Sequence, residues 1–368
     1  MKITKPLAVG LAAGLSLATL AVALPAIADP VSNSYVLVGS DTLQDSANAL
    51  TNGTTITGSQ VRIKANGSTL ASFDAFGTST IQVKTNGPRF ARPSGSGDGV
   101  KALSASIKSV TYTNSANITA VNIGGQVDIA RSSSGPGTNA NASGQLLYVP
   151  YARDAVAYAY NDPTGALASL TTAQLKAAYT GETVVVGGVT VKPLIPQSSS
   201  GTRKFFLSAI GVSSDASCTL DSCATSTLAE NDASVLTQAG QIIPFSAASW
   251  IAQSTGAAPS TISASSSVTL GSPNGVAPFT GSGATLAPNA TFYSSSFGRD
   301  TYLVVESARV TSGNAKYDAT LANLMDPTSA TSLTNFGDTP TTAGAVKRKF
   351  GFLAPSSTTP LPAYATLP

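Results

Sequence analysis

Short apolar runs that break off into serine, threonine and glycine constrain the fold of this chain more than any other feature. Ser34 to Gly39 reads as a buried strand and ends in Gly39-Ser-Asp-Thr42, with a helix following from Leu43 to Leu50. Val127-Asp-Ile-Ala130 ends in Arg131-Ser-Ser-Ser134, and Pro193-Leu-Ile-Pro196 leads into Ser198-Ser-Ser-Gly-Thr202. A fourth run, Ser94-Gly-Ser-Gly-Asp-Gly99, opens a helix that begins near Gly97 and carries Val100, Leu103 and Ile107 on one face. Strands alternating with short helices predict an α/β fold with ligands at the carboxyl ends of strands. A helix N-terminus carries unpaired N–H groups and partial positive charge, so hydroxyls and glycines gathered there suit one small oxyanion.

Composition narrows the chemistry. The chain has no histidine, which excludes Ser-His-Asp and Cys-His catalysis and imidazole metal sites, and no Ser-x-x-Lys pair is evident. A non-enzyme without metal or cofactor is expected. Met1-Lys-Ile-Thr-Lys5, the apolar stretch Leu7 to Leu24 and Ala26-Ile-Ala28 read as a secretory signal peptide cleaved after Ala28; an uncleaved anchor is the alternative. No cysteine lies near that site to carry a lipid. The chain holds 21 Lys and Arg against 18 Asp and Glu, and dropping Lys2 and Lys5 lowers the net charge from +3 to +1. Such a surface offers no footprint for nucleic acid or acidic lipid. Cys218 and Cys223 have only each other as intramolecular partners, and exported thiols oxidise, so a disulfide is expected.

The length beyond residue 28 exceeds what one compact core usually holds, and two lobes are expected. Lobe 1 takes residues 29–150 and 300–368, lobe 2 residues 151–299. Tyr148 to Tyr160 reads as a long strand or crossover, Thr171 or Thr172 caps a helix through Leu175 and Tyr179, and Val184 to Val191 forms a hairpin about Gly187-Gly188. Gln241 to Phe245 is a strand before a helix through Trp250, and Tyr302-Leu-Val-Val-Glu306 is an apolar strand returning to the first lobe. Asp154 is expected to brace the crossover, and Lys347-Arg-Lys349 reads as an exposed charge run.

The order of motifs resembles the phosphate-binding solute receptors of ABC importers, especially a secreted actinobacterial branch. The matching pieces are Val38-Gly-Ser-Asp-Thr42, Ser96-Gly-Asp-Gly-Val-Lys-Ala-Leu103, Val127-Asp-Ile-Ala-Arg-Ser132, Asp154-Ala-Val-Ala-Tyr-Ala-Tyr-Asn161, Leu170-Thr-Thr-Ala-Gln-Leu175, Pro196-Gln-Ser-Ser-Ser-Gly-Thr202 and Ile243-Pro-Phe-Ser246. The resemblance implies a two-lobed clamp of the periplasmic-binding-protein type II fold, with a hinge and a central cleft that closes around inorganic phosphate and delivers it to a permease. It assigns ligand contacts to Thr42, the Leu43 amide, Ser96, Ser200, Gly201 and Thr202. Gly97, Ser132 and Ser133 belong to the same strand-end runs and join the candidate set.

The chain departs from the family pattern in two places. Ser133 stands where the classical receptors carry an aspartate that accepts the proton of hydrogen phosphate, and Pro196 and Ser198 replace an arginine and an aspartate. Asp41 is the candidate replacement acceptor and Arg131 the candidate guanidinium, a planar fork that suits two oxyanion oxygens. Sulfate or another oxyanion on the same fold remains an alternative, as does a surface or adhesion module that has lost transport. A monomer is expected.

Overall fold

A computed structural model describes residue 32 and residues 34–52, 61–213, 218–220, 223, 225–262 and 267–368. The proposed signal peptide and its cleavage after Ala28 lie outside the described residues. Among these residues, no helix is long and apolar enough to cross a membrane.

One nine-stranded sheet organises the chain. Its strands are β1 (Val36–Gly39), β2 (Ala71–Ser72), β3 (Ile129–Ser132), β4 (Leu146–Asn161), β5 (Lys192–Pro193), β6 (Gln241–Ser246), β7 (Val268–Leu270), β8 (Gly298–Glu306) and β9 (Leu361–Ala363). The order is β5-β6-β4-β8-β3-β1-β2, with β7 and β9 also paired to β4. β1 runs parallel to β2 and β3, whereas β8 runs antiparallel to both β3 and β4. The fold is mixed α/β with a central sheet.

β4 is the strand that ties the sheet together. Its first part pairs with β8 from Leu146↔Glu306 to Ala155↔Gly298, and its last part pairs with β6 from Val156↔Ser246 to Tyr160↔Ile242. The packing changes along it accordingly. Val149, Tyr151 and Ala152 enter one apolar cluster and Leu146 and Tyr148 another, on opposite faces, while Ala155 to Tyr160 belong to a third. The two-residue period of a strand explains the first division: in β1, Leu37 joins one face while Val36 and Val38 join the other, and β8 splits Leu303 and Val305 from Tyr302 and Val304 in the same way.

Five helices are referred to below: α1 (Gln44–Asn52), α2 (Ser96–Lys108), α3 (Thr172–Tyr179), α4 (Gly201–Ala209) and α5 (Ala247–Ser254), of which α1, α2, α4 and α5 start near the strand ends. Thr171 caps α3 in a reciprocal box with Gln174, and α1 starts one residue later than the Leu43 read from the apolar pattern. The Val185–Val186 and Val189–Thr190 hairpin forms as read, and Cys218 and Cys223 are disulfide-bonded.

Lys347 corrects the reading of Lys347-Arg-Lys349 as an exposed run. Its side chain is fully buried in the helix Ala343–Lys349, where Nζ donates to Tyr151 O at 2.9 Å and Asn335 O at 3.0 Å and lies 3.9 Å from the Tyr151 ring centre. Burial, reinforced by neighbouring Arg348, pushes its pKa well below the ordinary lysine value. A short charge run carries no marker of which lysine turns inward, because that depends on the carbonyls waiting beneath the helix.

Candidate functional site

The parallel strands β1 and β3 end side by side, paired from Leu37↔Ile129 to Gly39↔Arg131, so the turns after them emerge together. Gly39 has φ +112°, and a Cβ there would stand 2.6 Å from Arg131 O; no larger residue fits that junction without a shift. Because β8 is antiparallel to β3, its first residues reach the same end of the sheet. Arg299, opposite Asp154 on β4, is thereby delivered to the strand ends.

Four of the strand-end segments meet there. Thr42 Oγ1 lies 3.3 Å from Thr202 Oγ1, and Ser96 Oγ lies 3.1 Å from Ser133 Oγ and accepts from Ser133 N at 3.0 Å. Gly201 sits against both serines, and a Cβ in its place would overlap both hydroxyls. Gly97 N donates to Ser199 O at 3.0 Å, which joins the start of α2 to the turn before α4. Thr42, Ser96, Ser133, Ser200 and Thr202 are all buried. Leu43 is buried in the core beside α1, and Ser132 Oγ turns back to donate to Ser134 O at 2.7 Å.

The guanidinium at this cluster belongs to Arg299. Its Nε and Nη2 donate to Asp154 Oδ2 at 3.1 and 2.9 Å, and Nη2 also reaches Thr202 Oγ1 at 2.9 Å and Thr42 Oγ1 at 3.4 Å. Nη1 is buried and has no hydrogen-bond partner among the described residues. Asp154 does brace the crossover: it also accepts from Ser246 Oγ at 2.8 Å and Ala248 N at 3.1 Å at the start of α5, and so holds Arg299 in place. Thr42 Oγ1 receives Arg299 Nη2 and Asn231 Nδ2 (3.2 Å) on its two lone pairs. Its own proton must therefore point onward, to Thr202 or to a ligand.

Arg131 does not supply the fork expected of it. Its Nε donates to Ser40 O, Nη1 to Leu37 O and Ser72 Oγ, and Nη2 to Gly39 O and Phe73 O, at 2.6 to 3.4 Å. All five N–H groups are engaged, none toward the hydroxyl cluster. Burial lowers its pKa to about 10 despite nearby Asp74 and Asp41. Its task is to pin the strand ends. Arg299 was hidden because Phe297-Gly-Arg-Asp-Thr301 shows nothing but the start of an apolar strand.

Two carboxyl groups adjoin the hydroxyls. Burial, then the Glu230 carboxylate beside it, pushes the Asp41 carboxyl well above its ordinary pKa. Burial alone would raise Glu230 too, but hydrogen bonds from Asp41 and Ser200, the Arg299 charge and the Thr202 amide outweigh it and lower its pKa. Asp41 therefore holds the proton and Glu230 the charge. The raised Asp41 pKa favours folding fully only below the unfolded value of about 3.9, and that contribution fades as pH rises toward the folded value. Asp41→Asn mimics the protonated acid and should gain more stability over the wild type at pH 8 than at pH 4.5, as read by urea unfolding at the two pH values. A pH-independent difference would overturn this assignment.

A family model described as a PBP superfamily domain matches residues 36–325. This chain belongs to the PBP superfamily. Among solved structures, this PBP superfamily member is similar to an ABC-type phosphate transport receptor from Vibrio cholerae, at 15% identity and TM-score 0.50, over 88% of this chain and 100% of that one. It is also similar to a phosphate-binding protein from Stenotrophomonas maltophilia, at 15% identity and TM-score 0.48, over 88% and 91% of the two chains. A putative phosphate ABC transporter substrate-binding protein with bound phosphate from Clostridium perfringens shares 16% identity at TM-score 0.46, over 76% and 89%. At these identities the likeness is one of fold. No curated protein sequence matches the chain.

Proposed function

We propose that this protein is an extracytoplasmic solute-binding protein that captures inorganic phosphate between two lobes and delivers it to an ABC-type permease. The observation that carries the reading is the buried Nη1 of Arg299, unpartnered among the described residues, on a guanidinium whose Nη2 bonds the Thr42 and Thr202 hydroxyls. Leaving a buried donor unmet costs roughly 1–3 kcal/mol, more for a charged group, and an oxyanion oxygen would recover it. Hydroxyls of Ser96, Ser133 and Ser200 and the amides of Leu43 and Gly201 complete a set of neutral donors that can hold a divalent anion away from water.

Residues 29–150 with 300–368 form lobe 1 of this reading and residues 151–299 lobe 2, with β4 and β8 as the strands that pass between them. The separate apolar cluster built almost wholly from Ala155 to Phe297 supports that division. Closure would press the Ser94–Gly99 segment against Gln197–Thr202, where Gln197 Nε2 donates to Ser94 O at 2.6 Å. Ligand that bridges both sides stabilises the closed form by its differential affinity. The Vibrio cholerae receptor of the same fold supports transport as the purpose.

The negative charge that the Asp41–Glu230 pair keeps beside Thr42 and Ser200 favours an oxyanion that carries a proton, as phosphate and arsenate do near neutral pH and sulfate does not. Calorimetric titration of the purified protein should show one site for phosphate and arsenate and at least tenfold weaker sulfate. Heat from none of the three would overturn oxyanion binding and favour a surface module.

A further inference from the structure

We propose that Glu230 is a tethered competitor for the oxyanion: its carboxylate takes the anion's place at the start of α4, and a ligand must displace it. This rests on the oxyanion reading above. Glu230 is 2% exposed. Its Oε2 accepts from Ser200 Oγ and from Thr202 N, the latter at 3.1 Å, and its Oε1 accepts from Ser40 Oγ at 3.4 Å. Ser200 and Thr202 open helix α4, while Ser40 belongs to the turn after β1. The carboxylate thus draws together the two segments that an oxyanion would bridge, and it uses donors that reading assigns to the ligand.

A second, independent feature marks this as an anion position that Glu230 fills only in part. Arg299 Nη1 stays buried and unpartnered among the described residues although the carboxylate is in place. A carboxylate offers two oxygens in one plane, whereas a tetrahedral oxyanion offers four in three dimensions and can reach that remaining donor. Both cannot occupy the same donors, since two anions in one buried cluster repel strongly. Glu230 therefore keeps the hydroxyl cluster closed without ligand and sets a threshold that only an anion with more charge or more oxygens overcomes.

Phosphate titration of wild type, Glu230→Gln and Glu230→Ala at pH 7, with small-angle scattering of the ligand-free proteins, tests this. Glu230→Gln keeps the shape and removes the charge, so it decides the matter if the alanine variant folds poorly. Phosphate affinity should rise at least tenfold in Glu230→Gln, and ligand-free Glu230→Ala should expand and compact again when phosphate is added. Unchanged or weaker binding in Glu230→Gln alongside clear wild-type binding overturns the competitor role and leaves the oxyanion reading standing. If wild type and Glu230→Gln both ignore phosphate, sulfate and arsenate, both readings fall together.

Discussion

Replacing Arg299 with alanine should raise the phosphate dissociation constant at least 100-fold and lower stability by about 3–5 kcal/mol. Both effects come from one side chain with two faces. One face, Nε and Nη2, neutralises Asp154, whose pair with Arg299 at 2.9 Å is almost completely buried. Without it, Asp154 keeps Ser246 Oγ and Ala248 N as donors but loses its countercharge in a dry interior. Nη2 also meets Thr42 and Thr202, and Nη1, without a partner among the described residues, is the donor that the proposed function gives to the anion. Asp154→Asn with Arg299→Ala separates them: the double variant should recover part of the stability and none of the affinity. Urea unfolding and phosphate calorimetry read the two quantities. A folded Arg299→Ala protein that binds phosphate within threefold of wild type would remove the central support for the proposed function.

Arg131→Met should be the most destabilising single change at the strand ends, by about 4 kcal/mol or more, with the protein losing β1–β3 order before the rest. Methionine roughly fills the volume but takes this donor from the buried carbonyls of Gly39, Ser40 and Phe73, while Leu37 O keeps Phe73 N. Each buried polar group deprived of its partner costs roughly 1–3 kcal/mol. Amide hydrogen exchange at Val36 to Gly39 and Ile129 to Ser132, together with urea unfolding, checks it. Because this guanidinium makes no contact with the hydroxyl cluster, a variant that stayed as stable as wild type and lost only anion affinity would contradict the structural role and revive Arg131 as a ligand group.

Much of the fold was legible because strands and helix starts are written locally. Val36 to Gly39 and Tyr302 to Glu306 are short continuous apolar runs, the pattern of a strand packed on both faces, and the hydroxyls at Thr171, Ser200 and Ser246 mark helix beginnings because short side chains there satisfy orphan amides. The strand-end position of Thr42, Ser96, Ser133 and Thr202 came from the same local rules. Their mutual distances did not.

Charged groups were read less well, and the reason is physical. Whether a guanidinium serves a ligand, a carboxylate or a set of backbone carbonyls depends on what the sheet order places within a few ångströms of it. Arg131 and Arg299 are chemically identical, yet the parallel pairing of β1 with β3 surrounds the first with carbonyls, and the antiparallel entry of β8 sets the second beside Asp154 and two threonines. Glu230 and Asn231 lie in a stretch without periodicity, so nothing local hinted that they would close over Thr42 and Thr202. The amino-acid sequence by itself determined the strand-and-cap grammar, the absence of histidine chemistry and the hydroxyl-rich turns. Only the tertiary structure decided which charges face those turns, because hydrogen bonding and desolvation act through space between segments more than a hundred residues apart along the chain.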